Sequence, residues 1–304
     1  MTSGVDASLD VGRLRLLHTV AIRGTIAGAA RSLGLTASAV SQQLAVLERE
    51  AGTALLDRSP RGVRLTGAGH ALAERAAAIL DLLAAARADL DRIAGSVTGP
   101  VQVAAVSSAA ATIVSSALVA LHSAEPGISV SVTTAEPTRS LALLHAGDVD
   151  VAVVDEYDYV PLALPDSLAA RRLRAEPLVV VTARGTLPRG RNVPLRALAG
   201  FDWVMPPEEA ACGMAVRSAC RAQGFEPRVR WETDDMLLLV RAVAAGHGVA
   251  VLPRLSVADG VADVEVRPLR EPELGRTLMA VARSSALRRP IVASVLDALS
   301  AAAR

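Results

Sequence analysis

The chain has no lysine: all 32 basic residues are arginine, set against 31 carboxylates for a net charge of +1 over 304 residues. A balance so close to neutral excludes a uniformly basic protein, so an electrostatic site has to come from local clustering. Aromatic residues are scarce, and the apolar half of the composition is aliphatic and alanine-rich. Two cysteines, Cys212 and Cys220, are too few for a disulfide framework. The histidines His18, His70, His122, His145 and His247 are dispersed, and none forms H-x-H, H-E-x-x-H or a Cys/His pair at ligand spacing. Gly67-Ala68-Gly69 is too short for a phosphate-binding fingerprint. No catalytic residue, metal or cofactor is therefore expected. The N-terminus lacks an apolar core segment of the secretory kind, which makes a cytoplasmic protein the expectation. Residues 93–124 carry no formal charge and are long enough to span a bilayer, but Ile113, Val114, Ala117, Leu118 and Leu121 recur on one face. A spanning helix would be apolar all round, so the stretch reads as a loop, a strand and an amphipathic helix, with no membrane partner.

The most informative stretch is residues 25–66. Thr25 is placed to cap one short helix with Ala29, Ala30 and Leu33 inside; Thr36 is placed to cap a second, with Val40, Leu44 and Leu47 at i, i+4, i+7. Leu33-Gly34-Leu35 separates them, which is the helix-turn-helix pattern. The outer face of the second helix offers Ala37, Ser38, Ser41, Gln42 and Ala45, small or amide-bearing groups that admit a helix to a major groove, with Gln42 able to read adenine bidentately. Arg58, Arg61 and Arg64 then surround a Pro/Gly turn, a wing suited to phosphates and the minor groove. From Arg13 to Arg64, eight arginines stand against Glu48, Glu50 and Asp57, a local charge of 8 − 3 = +5.

In order and spacing, GTIAGAARSLGLTASAVSQQLAVLERE followed by LLDRSPRGVRLTGAGHAL resembles the N-terminal domain of LysR-type transcriptional regulators over residues 9–80. Ile26 stands where that family often has an aromatic, Thr36-Ala37-Ser38 where it often has Ser-Gln-Pro, and Gln42 where an Arg often precedes Gln43. The candidate DNA contacts are Thr25, Arg31, Thr36, Ala37, Ser38, Ser41, Gln42, Gln43, Arg58, Arg61 and Arg64. Residues 9–66 are read as the winged helix-turn-helix domain and 67–95 as a linker helix capped by Thr66. In that helix Leu72, Ala76, Ile79, Leu83, Ala86, Leu90 and Ile93 repeat at steps of four and three, a heptad seam for dimerisation. Its large members are Leu72, Ile79, Leu83 and Leu90; a helix packed on its own domain is the alternative.

From residue 99 onward the pattern alternates strand and helix, the mark of parallel βα units in an open sheet. Strands are expected at 101–106, 129–135, 150–155, 177–182, 201–205, 228–232, 248–252, 263–267 and 276–282. Helices are expected at 111–123, 138–146, 194–199, 211–223, 235–245 and 288–303. The resemblance, most specific in TDDMLLLVRAVAAGHGVAVLPRL, implies a two-lobed effector-binding domain like a periplasmic binding protein. Lobe I would take 99–174 and 270–304, and lobe II 175–269, so the fold class is α/β behind a winged helix-turn-helix.

Ligands of open α/β sheets sit beyond the carboxyl ends of the strands. The residues there are Ser107, Ser108, Thr138, Asp155, Pro206, Glu208 and Asp234, the candidate effector site. The hydroxyls with free helix-terminal N–H groups suit an anion; the carboxylates suit a cationic or hydroxylated effector. Peroxide sensors of the same family use two cysteines in this region. Cys212 and Cys220 lie about 80° apart around one helix and about 12 Å along it, too far for a disulfide without unwinding, and read as buried small residues. The chain resembles an effector-responsive regulator that binds a pseudo-palindromic operator in double-stranded DNA. The resemblance implies a homodimer or homotetramer, with RNA polymerase as a further candidate partner. Alternatives are a thiol-based redox regulator, or an α/β solute-binding or enzymatic protein carrying an accessory DNA-binding domain.

Overall fold

A computed structural model of the chain describes residues 9–59, 62–93, 98–188, 190–257 and 263–304. It divides into two compact units. One spans Met1–Ser96, with His145–Gly147 and Ser285–Pro290 grouped with it; the other takes Val97–Leu144, Asp148–Ser284 and Ile291–Arg304.

The first unit is built from α1 (Val11–Arg23), α2 (Ile26–Leu33), α3 (Ala37–Ala51), the hairpin β1 (Leu56–Ser59) and β2 (Gly62–Leu65), and α4 (Gly67–Ile93). α1 starts at Val11 because the Asp10 carboxylate accepts the Arg13 N–H and sets the cap there. Thr25 and Thr36 cap α2 and α3 through the N–H groups of Gly28 and Ala39. The turn between them needs Gly34 at φ +65°, where its N–H and that of Leu35 close the end of α2. Leu14, Leu17, Val20, Ala30, Val40, Leu44, Leu47 and Leu55 form one core. Each buried leucine contributes about 1.5–3 kcal/mol.

α4 does not present its seam uniformly. Ala73 and Ala76 are buried, and Leu72 and Ile79 partly buried, in the core of their own unit. Leu82, Leu83 and Leu90 are instead 56%, 48% and 61% exposed. The heptad pattern thus divides: its first two turns pack on their own domain, as the alternative expected, and its later leucines are exposed. Leu82 was not in the seam read from spacing.

The second unit holds a sheet ordered β4-β3-β5-β12-β6-β11-β7, with β10 also on β6. Its strands are β3 (Gly99–Ala105), β4 (Ile128–Thr134), β5 (Val151–Tyr157), β6 (Leu168–Ala183), β7 (Val193–Pro194), β10 (Ala250–Pro253), β11 (Val264–Arg270) and β12 (Gly275–Arg283). β8 (Asp202–Met205) and β9 (Arg228–Glu232) pair beside it, bridged through Trp203 and Val249. The expectation of a parallel sheet needs correction. β3 is parallel to β4 and β5, but β12 is antiparallel to β5 and β6, and β6 is antiparallel to β10 and β11. The cause is β6, which runs sixteen residues where only 177–182 was expected. Its first half, LAARRLRAE, carries three arginines and hides its strand character; β12 supplies its ladder. Up to Pro177 it pairs with β12, and from Leu178 with β10 and β11, so one strand passes from lobe I into lobe II.

Helices cover both lobes: α5 (Ser107–Ala109) runs through a π turn (Ala110–Val114) into α6 (Ser115–Ala124), followed by α7 (Pro137–Ala146), α8 (Ala211–Ala222), α9 (Met236–Ala244) and α10 (Pro290–Ala302). The first of these begins at Ser107 rather than 111, because α5 and the π turn precede the amphipathic part. Residues 107–124 form a helix long and apolar enough to cross a membrane by length and composition. Here Ile113, Val114, Ala117 and Leu121 bury into the lobe I core. The stretch expected as a helix at 194–199 is a single 3₁₀ turn, Leu195–Leu198.

Candidate DNA interface and effector cleft

On α3 the inner residues Val40, Leu44 and Leu47 are fully buried. Ala37, Ser38, Gln42 and Gln43 are exposed, and Ser41 is half-buried. The threonine at the helix start is occupied twice: Thr36 Oγ1 accepts from Ala39 N at 3.2 Å and shares a hydrogen bond with Ser38 Oγ at 3.1 Å. Gln43 is held from the α1 side, where it accepts from Arg13 Nη1 at 3.3 Å. Arg13 also pairs with Glu50 at 2.5 Å, which fixes α1 to the far end of α3. Arg31 is exposed in the last turn of α2.

The wing is tied to the same helix. Glu48 accepts the N–H groups of Leu55 and Leu56, both at 2.9 Å, and so orients the start of β1. Thr66 caps α4 through Gly69 N and donates to Ala54 O. Gly69 is required at its position, since a Cβ there would lie 2.1 Å from the Leu55 carbonyl. Arg64 is exposed on β2. Arg58 is described by its backbone only, and Arg61 lies outside the described residues.

In the second unit, Ser107, Ser108, Asp155, Pro206 and Asp234 meet in one place. They line a gap of about 10 Å³ that shares Ser107, Ser108, Glu136, Asp234 and Met236 with an open cleft of about 850 Å³. Thr138 and Glu208 are not among the residues lining either space. Thr138 points from the exposed surface of α7, and Glu208 pairs with Arg221 at 3.0 Å on the outside of lobe II. Both were expected from loop position beyond strand ends, and the structure does not bring them together with the other five.

The centre of the constellation is Arg276, only 3% exposed. Its guanidinium contacts Asp155 Oδ2 at 2.8 Å, Glu176 Oε1 at 2.6 Å, Ser108 Oγ at 2.8 Å and the Tyr157 hydroxyl at 3.3 Å. Glu176 Oε2 accepts from Leu255 N at 2.7 Å, which ties the network to the end of β10. Burial, Cys212 and Asp155 push the Tyr157 phenol well up. Glu136, at the cleft mouth, has its carboxyl raised by partial desolvation, then by Asp155 and Asp234, against the opposing pull of Arg276. Sequence reading did not single out Arg276, Glu176 or Tyr157, which the structure gathers here. Arg276 and Glu176 sit in strands whose pattern gives no cue that a charge faces inward, because charged residues are ordinarily solvated.

Cys212 and Cys220 are free and buried on α8. Desolvation raises both thiols to about 12. That is the environment of an inert cysteine rather than a reactive one, whose thiolate needs an electropositive, accessible setting. Among the described residues, no group of three or more His, Cys, Asp or Glu is arranged to hold a metal.

Comparison with known proteins covers both units. Residues 11–70 match the family described as bacterial regulatory helix-turn-helix protein, lysR family, and residues 94–304 match the LysR substrate binding domain. Over 96% of its length the chain is 28% identical to "Probable HTH-type transcriptional regulator LrrA" of Synechococcus elongatus, covering 96% of that protein. It is 29% identical over 81% of its length to the nitrogen assimilation regulatory protein nac of Escherichia coli, covering 78% of it. Among solved structures, a full-length OxyR variant from Pseudomonas aeruginosa shares the fold with a TM-score of 0.71 at 20% identity, covering 96% of this chain and 95% of that one. ArgP from Mycobacterium tuberculosis does so with 0.67 at 24% identity, covering 97% and 98%. CbnR complexed with its target DNA does so with 0.57 at 23% identity, covering 97% and 100%.

Proposed function

The chain belongs to the LysR family of transcriptional regulators, and from that premise we propose how its residues divide the work. α3 enters the major groove of a pseudo-palindromic operator with Ala37, Ser38, Ser41 and Gln42 toward the base edges. Thr25, Arg31, Thr36 and Gln43 support the helix pair and its backbone contacts, and Arg58, Arg61 and Arg64 of the wing neutralise phosphates. The observation that carries this is the outward face of α3: Val40, Leu44 and Leu47 are sealed inside while small polar groups stand exposed. A protein of the same fold, CbnR, has been solved in complex with its target DNA, which supports DNA as the partner.

Two chains join along α4 through Leu83 and Leu90, and further pairing makes a tetramer. The inter-lobe cleft holds a small-molecule effector against Ser107, Ser108, Asp155, Pro206 and Asp234. The protein acts in the cytoplasm, on DNA and then on RNA polymerase, and catalyses no reaction.

The test uses the full-length protein. Bound DNA is mapped in cells, and the recovered site is compared with a scrambled duplex across a salt series. Operator binding about 10³-fold or more tighter than scrambled binding is expected. Arg64→Ala should lower the salt slope by about one unit on both duplexes. Equal affinity for both duplexes at every salt concentration overturns the reading.

A further inference from the structure

We propose that the effector this cleft takes is a small organic cation, a protonated amine on an apolar body, seated with its ammonium group against Asp155. The proposal rests on reading the inter-lobe cleft as the effector site. Its first support is the state of Arg276. A guanidinium has five N–H donors. Here Nε meets Glu176, Nη1 meets Asp155 and Tyr157, and Nη2 meets Ser108 and Glu176. Four of the five donors are hydrogen-bonded within the protein, and the remaining Nη2 N–H lies against Glu176 Oε1 at 2.6 Å, which leaves little for the carboxylate or phosphate of a ligand. The cation at the centre of the cleft is spent on the protein's own acids.

The second support is an acceptor that nothing fills. Asp155 is 4% exposed; Oδ2 pairs with Arg276 and the Tyr157 hydroxyl interacts with the same carboxylate, while Oδ1 makes no direct hydrogen bond. A buried carboxylate oxygen without a donor is costly and calls for one. Asp155 is among the residues that line the gap of about 10 Å³, roughly the room of one water molecule; an ammonium head group is of similar size. Glu136 and Asp234 line the same gap, so three carboxylates surround it against one arginine already engaged. An anion entering here would meet their repulsion; a cation relieves it. The carboxyl of Glu136 is held up partly by Asp155 and Asp234, as this crowding requires. Arg139 lines the outer cleft but not the floor. Above the floor, Met236, Leu237 and Val240 give the cleft an apolar wall for the rest of the ligand.

The experiment uses full-length protein and two matched series: benzylamine with benzoate and benzyl alcohol, and hexylamine with hexanoate and hexanol. Thermal unfolding and the footprint on the mapped operator are read together. An amine at about ten times its dissociation constant should raise the unfolding midpoint by about 3–5 °C and alter the footprint. The carboxylates should do neither. Asp155→Asn should abolish the amine shift. Because Asp155 also pairs with Arg276, Glu136→Gln provides the second variant: it lies at the mouth, leaves the fold intact and should weaken the amine severalfold. Carboxylates or alcohols that match or exceed the amines would overturn the cation while leaving the cleft as the effector site. Amine binding that depends on Asp155 and Glu136 but leaves the footprint unchanged would overturn the effector reading itself. No shift from either amine at tens of millimolar, or a shift that survives both substitutions, also overturns the proposal.

Discussion

In the first unit the candidate DNA contacts come from one stretch of chain, residues 25–64, on two helices capped by their own threonines and on the hairpin that follows. In the second unit, residues as far apart as Ser108 and Arg276 converge on a single guanidinium. The first surface is exposed and assembled from weak, separable contacts. The second is buried and cooperative, so each member depends on the others. The difference predicts where a single substitution is tolerated and where it spreads.

The largest effect expected is on the buried side. Arg276→Ala leaves Asp155 and Glu176 buried without their counter-charge and should cost about 3–5 kcal/mol of stability. Urea unfolding of the full chain measures it, beside Gln42→Ala, which should change stability by less than about 0.5 kcal/mol. A loss for Arg276→Ala as small as that for Gln42→Ala would erase the contrast between the two regions.

α4 contains the same contrast within one helix. Leu83→Asp places a charge on a surface exposed in the single chain, so the fold should survive while dimerisation weakens. A rise in dissociation constant of about a hundredfold, roughly 2.7 kcal/mol, is expected. Leu72→Asp should instead unfold the first unit, because Leu72 packs on that unit's own core. Sedimentation and circular dichroism of both variants separate the outcomes. A Leu83→Asp protein that remains dimeric at low micromolar concentration would move the interface elsewhere.

On the exposed side, Gln42→Ala and Ser41→Ala should each cost about 1–3 kcal/mol at one operator base pair and leave the other positions unchanged. Binding to a panel of single-base operator variants reads this directly. If both variants rank the panel as the parent does, α3 is not the reading element.

The smallest effect concerns the thiols. Their folded values lie near 12 against an ordinary value of 9.0, so in the folded state both stay protonated at neutral pH and through most of that interval. Between about pH 9 and 12 the unfolded chain binds fewer protons than the folded one. Stability should then fall with rising pH, by up to about 1.4 kcal/mol per unit for each thiol. At pH 7 nothing should change. Urea midpoints at pH 7 to 10, with Cys220→Ala as the flatter control, test the sign. Rapid alkylation of native protein at pH 7 would contradict the sealed interior of lobe II and favour the redox alternative.

The legibility of the two regions follows from how they are built. Thr25, Gly34 and Thr36 announce the helix pair because capping and a left-handed turn are decided by a few neighbouring residues. Ser107, Ser108, Asp155, Pro206 and Asp234 were found from strand ends, a rule of topology. The same rule named Thr138 and Glu208, which do not line that space, since it locates a loop without saying where a side chain turns. Half of β6 went unread because Arg171, Arg172 and Arg174 mask its alternation, and its partner β12 lies a hundred residues downstream.

The sequence by itself determined the two-part organisation, the helix-turn-helix with its caps and outward face, the linker helix and the alternation of strand and helix. These rest on periodicity and on interactions a few residues long. Only the tertiary structure decided that the sheet is mixed, that the α4 seam divides between its own core and solvent, and that Arg276 is neutralised at the floor of the cleft. Each of these depends on which distant residue arrives as a neighbour. Burial turns such a neighbour into a strong electrostatic partner, and no local pattern carries that information.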